Sequence, residues 1–246
     1  MRLFEVDTAL IIKMTVPITA HDNNNWPKND KYLRLSKYLN EIKQDYVTAR
    51  FLLIISRFSD LDLKFVDKRV KIIDTLDYPV VNIRVGLLKV AFNGFYNILD
   101  KIAYFLTDYL VLDIRRHDIY FRSVWFKGNI SEKLIRPKIL STNNLSLNAL
   151  YSLSRDFENG CHENLMSVRH ALTHRFINIR NYQPENNENM SENSLFESTL
   201  ELAIASRNAI LYLLQFVYIE ESKIEKQQKG STMPIFAQEI PDNLKL

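Results

Sequence analysis

The chain reads as an all-α protein, and three observations carry that reading. Glycine is scarce at five residues and proline stands at seven in 246, which argues against a multi-stranded sheet built on tight turns. Two long segments repeat apolar residues at spacings of three and four, the period of a helix. Apolar residues make up 46% of the chain, and a chain of this length buries about 70–75% of its unfolded surface when it folds as one domain. The expected architecture is an up-and-down bundle of long central helices with short peripheral helices and loops.

The segments divide into an N-terminal extension (1–30), a helical domain (31–221) and a flexible C-terminal tail (222–246). Met1 to Thr19 places Glu5 and Asp7 ahead of only a short apolar stretch, so neither a signal peptide nor a membrane anchor is expected there. No apolar run is read as approaching the ~20 residues that span a bilayer. In the first long helix, Leu33 to Arg57, the stripe Leu35, Leu39, Ile42, Tyr46, Ala49 and Leu53 faces a core. Phe58 to Pro79 mixes charge with short apolar pieces and reads as a connector with a short helix, ending where Tyr78 precedes a proline. The second long helix, Val81 to Leu110, carries Val85, Leu88, Phe92, Phe95, Leu99, Ile102 and Leu106. At roughly 45 Å it is long enough to cross a domain, and it is expected to be the central helix.

Asp113 to Leu140 interleaves Arg115, Arg116, Arg122, Lys127, Lys133, Arg136 and Lys138 with Tyr120, Phe121, Trp125 and Phe126. Cations and rings of this kind hold phosphates and unstacked bases, but such rings more often pack a loop onto a bundle, the reading preferred here. Asn143 and Asn144 precede a helix over Ser146 to Glu158, and Gly160 breaks it before a further amphipathic helix, Glu163 to Ile179. Asn181 to Ser194 is polar and acidic, a loop, placed close enough to His174 to act as a flap. The last helix, Leu195 to about Glu221, is apolar over the broad arc of a buried bundle member. From Ser222 the chain turns charged and gains Gly230, Pro234 and Pro241, as a mobile or partner-bound tail does.

Thirty-two basic and 29 acidic side chains leave a net charge of +3, too mild to mark a nucleic-acid binder by charge alone. The single cysteine, Cys161, supplies neither a thiolate cluster nor an internal disulfide, which points to a cytoplasmic protein. The chemistry concentrates in Arg169-His170-Ala171-Leu172-Thr173-His174. On a helical projection Leu165, Val168, Leu172, Phe176 and Ile179 share an arc of roughly 80°. Arg169, Thr173, His170 and His174 occupy a wedge of about 140° beside it, able to line a groove. Arginine is always cationic and matches phosphate oxygens, while histidine exchanges a proton near neutral pH. Together they suit phosphoryl chemistry. His170 and His174 also stand four apart, as zinc ligands can, but no Glu follows His170 in an H-E-x-x-H pattern, so no metal and no cofactor is expected. Nucleotidyl transfer by this chain finds no Gly-Ser strand motif and no Walker-type loop.

Late in a helical bundle, this R-x-x-x-x-H element resembles the signature of the HEPN superfamily. Five blocks resemble one long bacterial branch of it, in order: EIKQDYVTARFLL (Glu41 to Leu53), the stretch Ile72 to Leu110, FRSVWF (Phe121 to Phe126), LNALYSLSRDF (Leu147 to Phe157) and VRHALTHRF (Val168 to Phe176). The similarity runs from about Leu33 to Tyr218. It implies a HEPN helical bundle and a metal-independent endoribonuclease acting as a homodimer, often a toxin or antiviral-defence effector with an antitoxin or nucleotidyltransferase partner. Other members of the superfamily are inactive binding modules. Arg169 and His174 match the family pair. His170 stands where the family has Asn, Asp or His, with Asn expected in this branch, and Thr173 replaces a common Glu. By this resemblance His174 is the general acid or base, Arg169 the phosphate ligand, and His170 an orienting group. Glu41 and Asp45, four apart on the first long helix, are candidates to brace the imidazole or Arg169.

Overall fold

A computed structural model describes residues 30–58, 63–68, 70–73, 78–128, 134–175, 177–180, 189–227 and 241. Its helices are α1 (Asp30–Arg57), α2 (Lys64–Asp67), α3 (Ile83–Tyr109), α4 (Pro137–Leu140), α5 (Leu145–Asn159), α6 (Glu163–His174) and α7 (Glu192–Gln227), with a 3-10 turn at Arg116–Asp118. Of the described residues 72% are helical, so the all-α class holds. Two short strands, β1 (Asn178–Ile179) and β2 (Asn189–Met190), pair in parallel, Asn178 opposite Asn189 and Ile179 opposite Met190.

The two stripes that the spacing picks out are the core. On α1 every member from Leu35 to Leu53 is at most 6% exposed, and on α3 every member from Val85 to Leu106 is at most 3% exposed. The two helices cross closely, because a Cβ placed on Gly94 would stand 3.1 Å from that of Ala49. α7 packs on α3 and α5, and α6 lies against α5, α3 and α7.

Side chains close the helix ends. Asn82 accepts from the Val85 N–H at 2.9 Å and starts α3. Asn144 accepts from the N–H groups of Ser146 and Leu147, while its amide donates to Glu220 at 2.7 Å, tying α5 to α7. At Gly160 an added Cβ would meet the Asp156 Cα at 2.6 Å, so the turn between α5 and α6 requires glycine.

Three boundaries differ from the sequence reading. α6 ends at His174 rather than running to Ile179. Ile179 is buried as expected, at 2% exposure, but it comes from a strand. Its carbonyl accepts from Val80 N–H and Arg180 N–H donates to Met190, and the β-branched Ile177 and Ile179 favour this extended backbone. Phe176 and residues 181–188 of the flap segment lie outside the described residues, as does the N-terminal extension up to residue 29. α7 begins at Glu192 and continues to Gln227, so the boundary drawn at 221/222 falls inside a helix. Lys223 holds that last stretch by donating to Glu220 and to the Thr142 carbonyl. Contrary to the reading of apolar runs, Glu192–Ile224 of α7 is long and apolar enough to cross a membrane, yet more than half of its most apolar window is buried in the bundle. Packing against α3 and α5 accounts for that apolar content.

Candidate functional site

Leu165, Val168 and Ala171 turn one face of α6 into the core, with Leu172 half-buried beside them. This leaves Arg169 at the rim and His170, Thr173 and His174 exposed. The N-terminus of α6 is held by His162, whose Nδ1 lies 2.6 Å from Glu201 Oε1 on α7 and whose ring packs 5.2 Å from that of Phe157 on α5. With its N-terminal end held and its apolar face in the core, α6 presents the wedge outward.

The Arg169 guanidinium is bracketed by two groups of α3. Its Nη2 donates to Asp100 Oδ2 at 3.2 Å, and its Cζ lies 4.1 Å from the centroid of the buried Tyr96 ring. Asp100 Oδ1 accepts from the Phe121 N–H at 3.1 Å. One carboxylate therefore joins α3, α6 and the loop after α3. The rings of His170 and His174 stand 5.2 Å apart with planes at 50°, as expected for residues four apart on a helix.

Glu41 and Asp45 are placed elsewhere. Both bind Lys101 Nζ on α3, Asp45 at 2.5 Å. Burial pulls the Lys101 ammonium down, but the two carboxylates outweigh it and the group ends above its ordinary value. The carboxylate on Arg169 is Asp100, 69 residues away in the sequence. Asp100, Tyr96 and His162 are the site residues that sequence reasoning missed. In the sequence Asp100 stands between Leu99 and Lys101 on the central helix, and nothing local marks it as the partner of an arginine 69 residues on. A hollow of about 260 Å³ opens between α1 and α3, lined by Asp45, Ala49, Val90, Gly94 and Lys101 among others, but none of its lining comes from α6. Among the described residues, no three His, Cys, Asp or Glu side chains gather as a metal site would need.

The basic and aromatic segment divides in two. Phe121, Val124, Trp125 and Phe126 are at most 3% exposed, so these rings pack the loop onto the bundle. Arg122 joins them structurally, pairing with Glu158 at 3.6 Å and donating to Met166 Sδ on α6.

Burial raises the Asp100 carboxyl above its ordinary value, while the Phe121 N–H and then Arg169 pull the other way. A carboxyl raised in the folded state binds its proton more tightly there than in the unfolded chain. Its contribution to stability is therefore full in acid and is lost as pH rises through the folded-state value. Compared with Asp100→Asn, the wild type is expected to hold its greatest stability advantage near pH 4 and to lose part of it by about pH 7. Thermal melting of both proteins across that range checks the sign. An advantage growing with pH would mean that the Arg169 charge, not burial, governs Asp100.

A helical bundle with R-x-x-x-x-H at the end of a late, rim-exposed helix defines a HEPN domain. The family model described as LA2681-like HEPN matches residues 27–220, and the chain belongs to that family. No curated protein and no solved structure matches the chain.

Proposed function

We propose that this protein is an endoribonuclease of the HEPN type that cuts RNA without a metal and works as a dimer. The observation that carries the reading is the state of the motif: Arg169 is braced at the rim by Asp100 and Tyr96, with His170 and His174 exposed on the same helix. A braced guanidinium offers its donor fork to non-bridging phosphate oxygens. Arg169 and His174 lie about 140° apart around α6, so one chain does not converge them. Two copies facing one another set the arginine of each beside the histidine of the other.

In the proposed step the 2′-oxygen of a ribose attacks the adjacent phosphorus, and one His174 takes the 2′-hydroxyl proton as general base. The bond from phosphorus to the 5′-oxygen breaks, and His174 of the second copy gives that oxygen a proton as general acid. The products are a 2′,3′-cyclic phosphate and a free 5′-hydroxyl. His170 orients the phosphate or shares the proton transfer. DNA lacks the nucleophile and is not cut. The family resemblance supports a toxin or antiviral-defence role in the cytoplasm, restrained by an antitoxin or a nucleotidyltransferase.

One observation favours a second reading, an inactive module that binds nucleotide, nucleic acid or a cognate partner: Arg169 already holds a carboxylate. Labelled single-stranded RNA in excess chelator separates the two. Cleavage by the wild type, abolished in Arg169→Ala and yielding cyclic phosphate ends, is the expected result. Equal cleavage by wild type and variant would assign the activity to a contaminant, and a 3′-hydroxyl end would exclude attack by the 2′-oxygen. Binding without cleavage would establish the module.

A further inference from the structure

One ring of the basic and aromatic segment does not go inside. Tyr120 is 51% exposed, beside Phe121, Trp125 and Phe126, which are buried. Arg115, Arg116 and His117, three to five residues before it, are exposed as well, with the buried Ile119 between. This turn is built onto the bundle. The Tyr104 hydroxyl donates to the Arg116 carbonyl at 2.9 Å. Ser123 Oγ accepts from the Tyr120 N–H at 3.1 Å and donates to the Asp118 carbonyl at 2.6 Å.

The anchors continue from the Arg169 site. Tyr96, Asp100 and Tyr104 are successive i, i+4 positions along one stripe of α3. Tyr96 lies under the Arg169 guanidinium, Asp100 bonds both Arg169 and the Phe121 N–H, and Tyr104 fixes Arg116. The helical rise sets Tyr104 about 6 Å along α3 from Asp100 and about 12 Å from Tyr96. Two nearby acidic groups are engaged: Asp118 holds Arg115 at 2.8 Å, and Asp108, one turn past Tyr104 on α3, holds Arg34 at 2.8 Å.

We propose that Tyr120 and Arg116 form a docking ledge for single-stranded RNA, which carries the strand past Arg169 along α3. A base stacks on the exposed Tyr120 ring and an adjoining phosphate meets the Arg116 guanidinium, an alternation of ring and cation that fits a nucleic acid strand. The ledge deepens the nuclease reading and rests on it for what is cut, though not for what is bound.

The test measures anisotropy of a labelled RNA dodecamer and of a dinucleotide, in a His174→Ala background that leaves the strand uncut. Tyr120→Ala is expected to weaken dodecamer binding about 5-fold to 100-fold, with Tyr120→Phe close to the parent. Arg116→Glu is expected to weaken it too and to flatten its salt dependence by about one phosphate contact. Dinucleotide binding stays unchanged in all three. In the wild-type background Tyr120→Ala raises KM for the dodecamer and leaves kcat. Melting temperatures confirm that these surface changes leave the fold intact. Dodecamer affinity indifferent to both positions overturns the ledge, even if cleavage persists. Tyr120-dependent binding by a protein that cuts no RNA upholds the ledge while the nuclease reading falls. No RNA binding at all overturns the ledge and leaves a protein partner for this face.

Discussion

Replacing His174 by alanine is expected to lower the rate of RNA cleavage by about 10² to 10⁴, the range of a lost general acid or base, with little change in stability. His174 closes α6 with its side chain exposed, and surface changes of this sort usually stay within about 0.5 kcal/mol. The loss should fall on kcat, because the imidazole acts on protons in flight, whereas Arg169→Ala should also raise KM by removing a phosphate ligand. His170→Ala separates the two histidines. Its ring stands 5.2 Å from that of His174, and if His170 only orients the phosphate, its removal costs less than that of His174. A single-turnover time course on one RNA checks all three variants. Wild-type rates in His174→Ala would remove the imidazole from the mechanism.

The parts of this fold legible in the sequence are those with local causes. The stripes of α1 and α3 recur every three or four residues, and the structure buries every member of both. Asn144 and Gly160 mark the ends of α5 by cap chemistry that acts within a few residues. Distant partners decided the rest. α6 stops at His174 because the following residues find extended pairing with Val80 and Met190, neither adjacent in sequence. The periodicity that carried Ile179 to the core was right about its burial and silent about its backbone. At the site, Arg169 and His174 were readable as a motif, but the group that braces the arginine was not. Glu41 and Asp45 do act as a pair on one helical face, and their cation is Lys101, some 60 residues on. Composition alone did not separate Tyr120, which stays outside, from Trp125 five residues later, which the loop carries fully inside.

Trp125 is where the loop's packing and the site meet, and Trp125→Ala is expected to cost about 3–5 kcal/mol of folding stability. The side chain is fully buried, with its ring edge-on to Phe121 at 6.1 Å and to Tyr151 at 5.5 Å. Its Nε1–H donates to the Phe121 carbonyl at 2.7 Å. Against a typical total of about 5–15 kcal/mol, that loss is roughly a fifth or more of the stability. Trp125→Phe is expected to cost only about 1–2 kcal/mol, since it keeps an apolar ring and forfeits one hydrogen bond. The Phe121 carbonyl is not orphaned, because Ser154 Oγ also donates to it at 3.1 Å. Urea unfolding of the two variants measures the difference. The loop that Trp125 holds also supplies the Phe121 N–H to Asp100, and Asp100 braces Arg169. Under conditions where Trp125→Ala remains folded, RNA cleavage should therefore fall further than in Trp125→Phe. An alanine variant as stable and as active as the wild type would show that neither the core of the loop nor the Arg169 bracket depends on this ring.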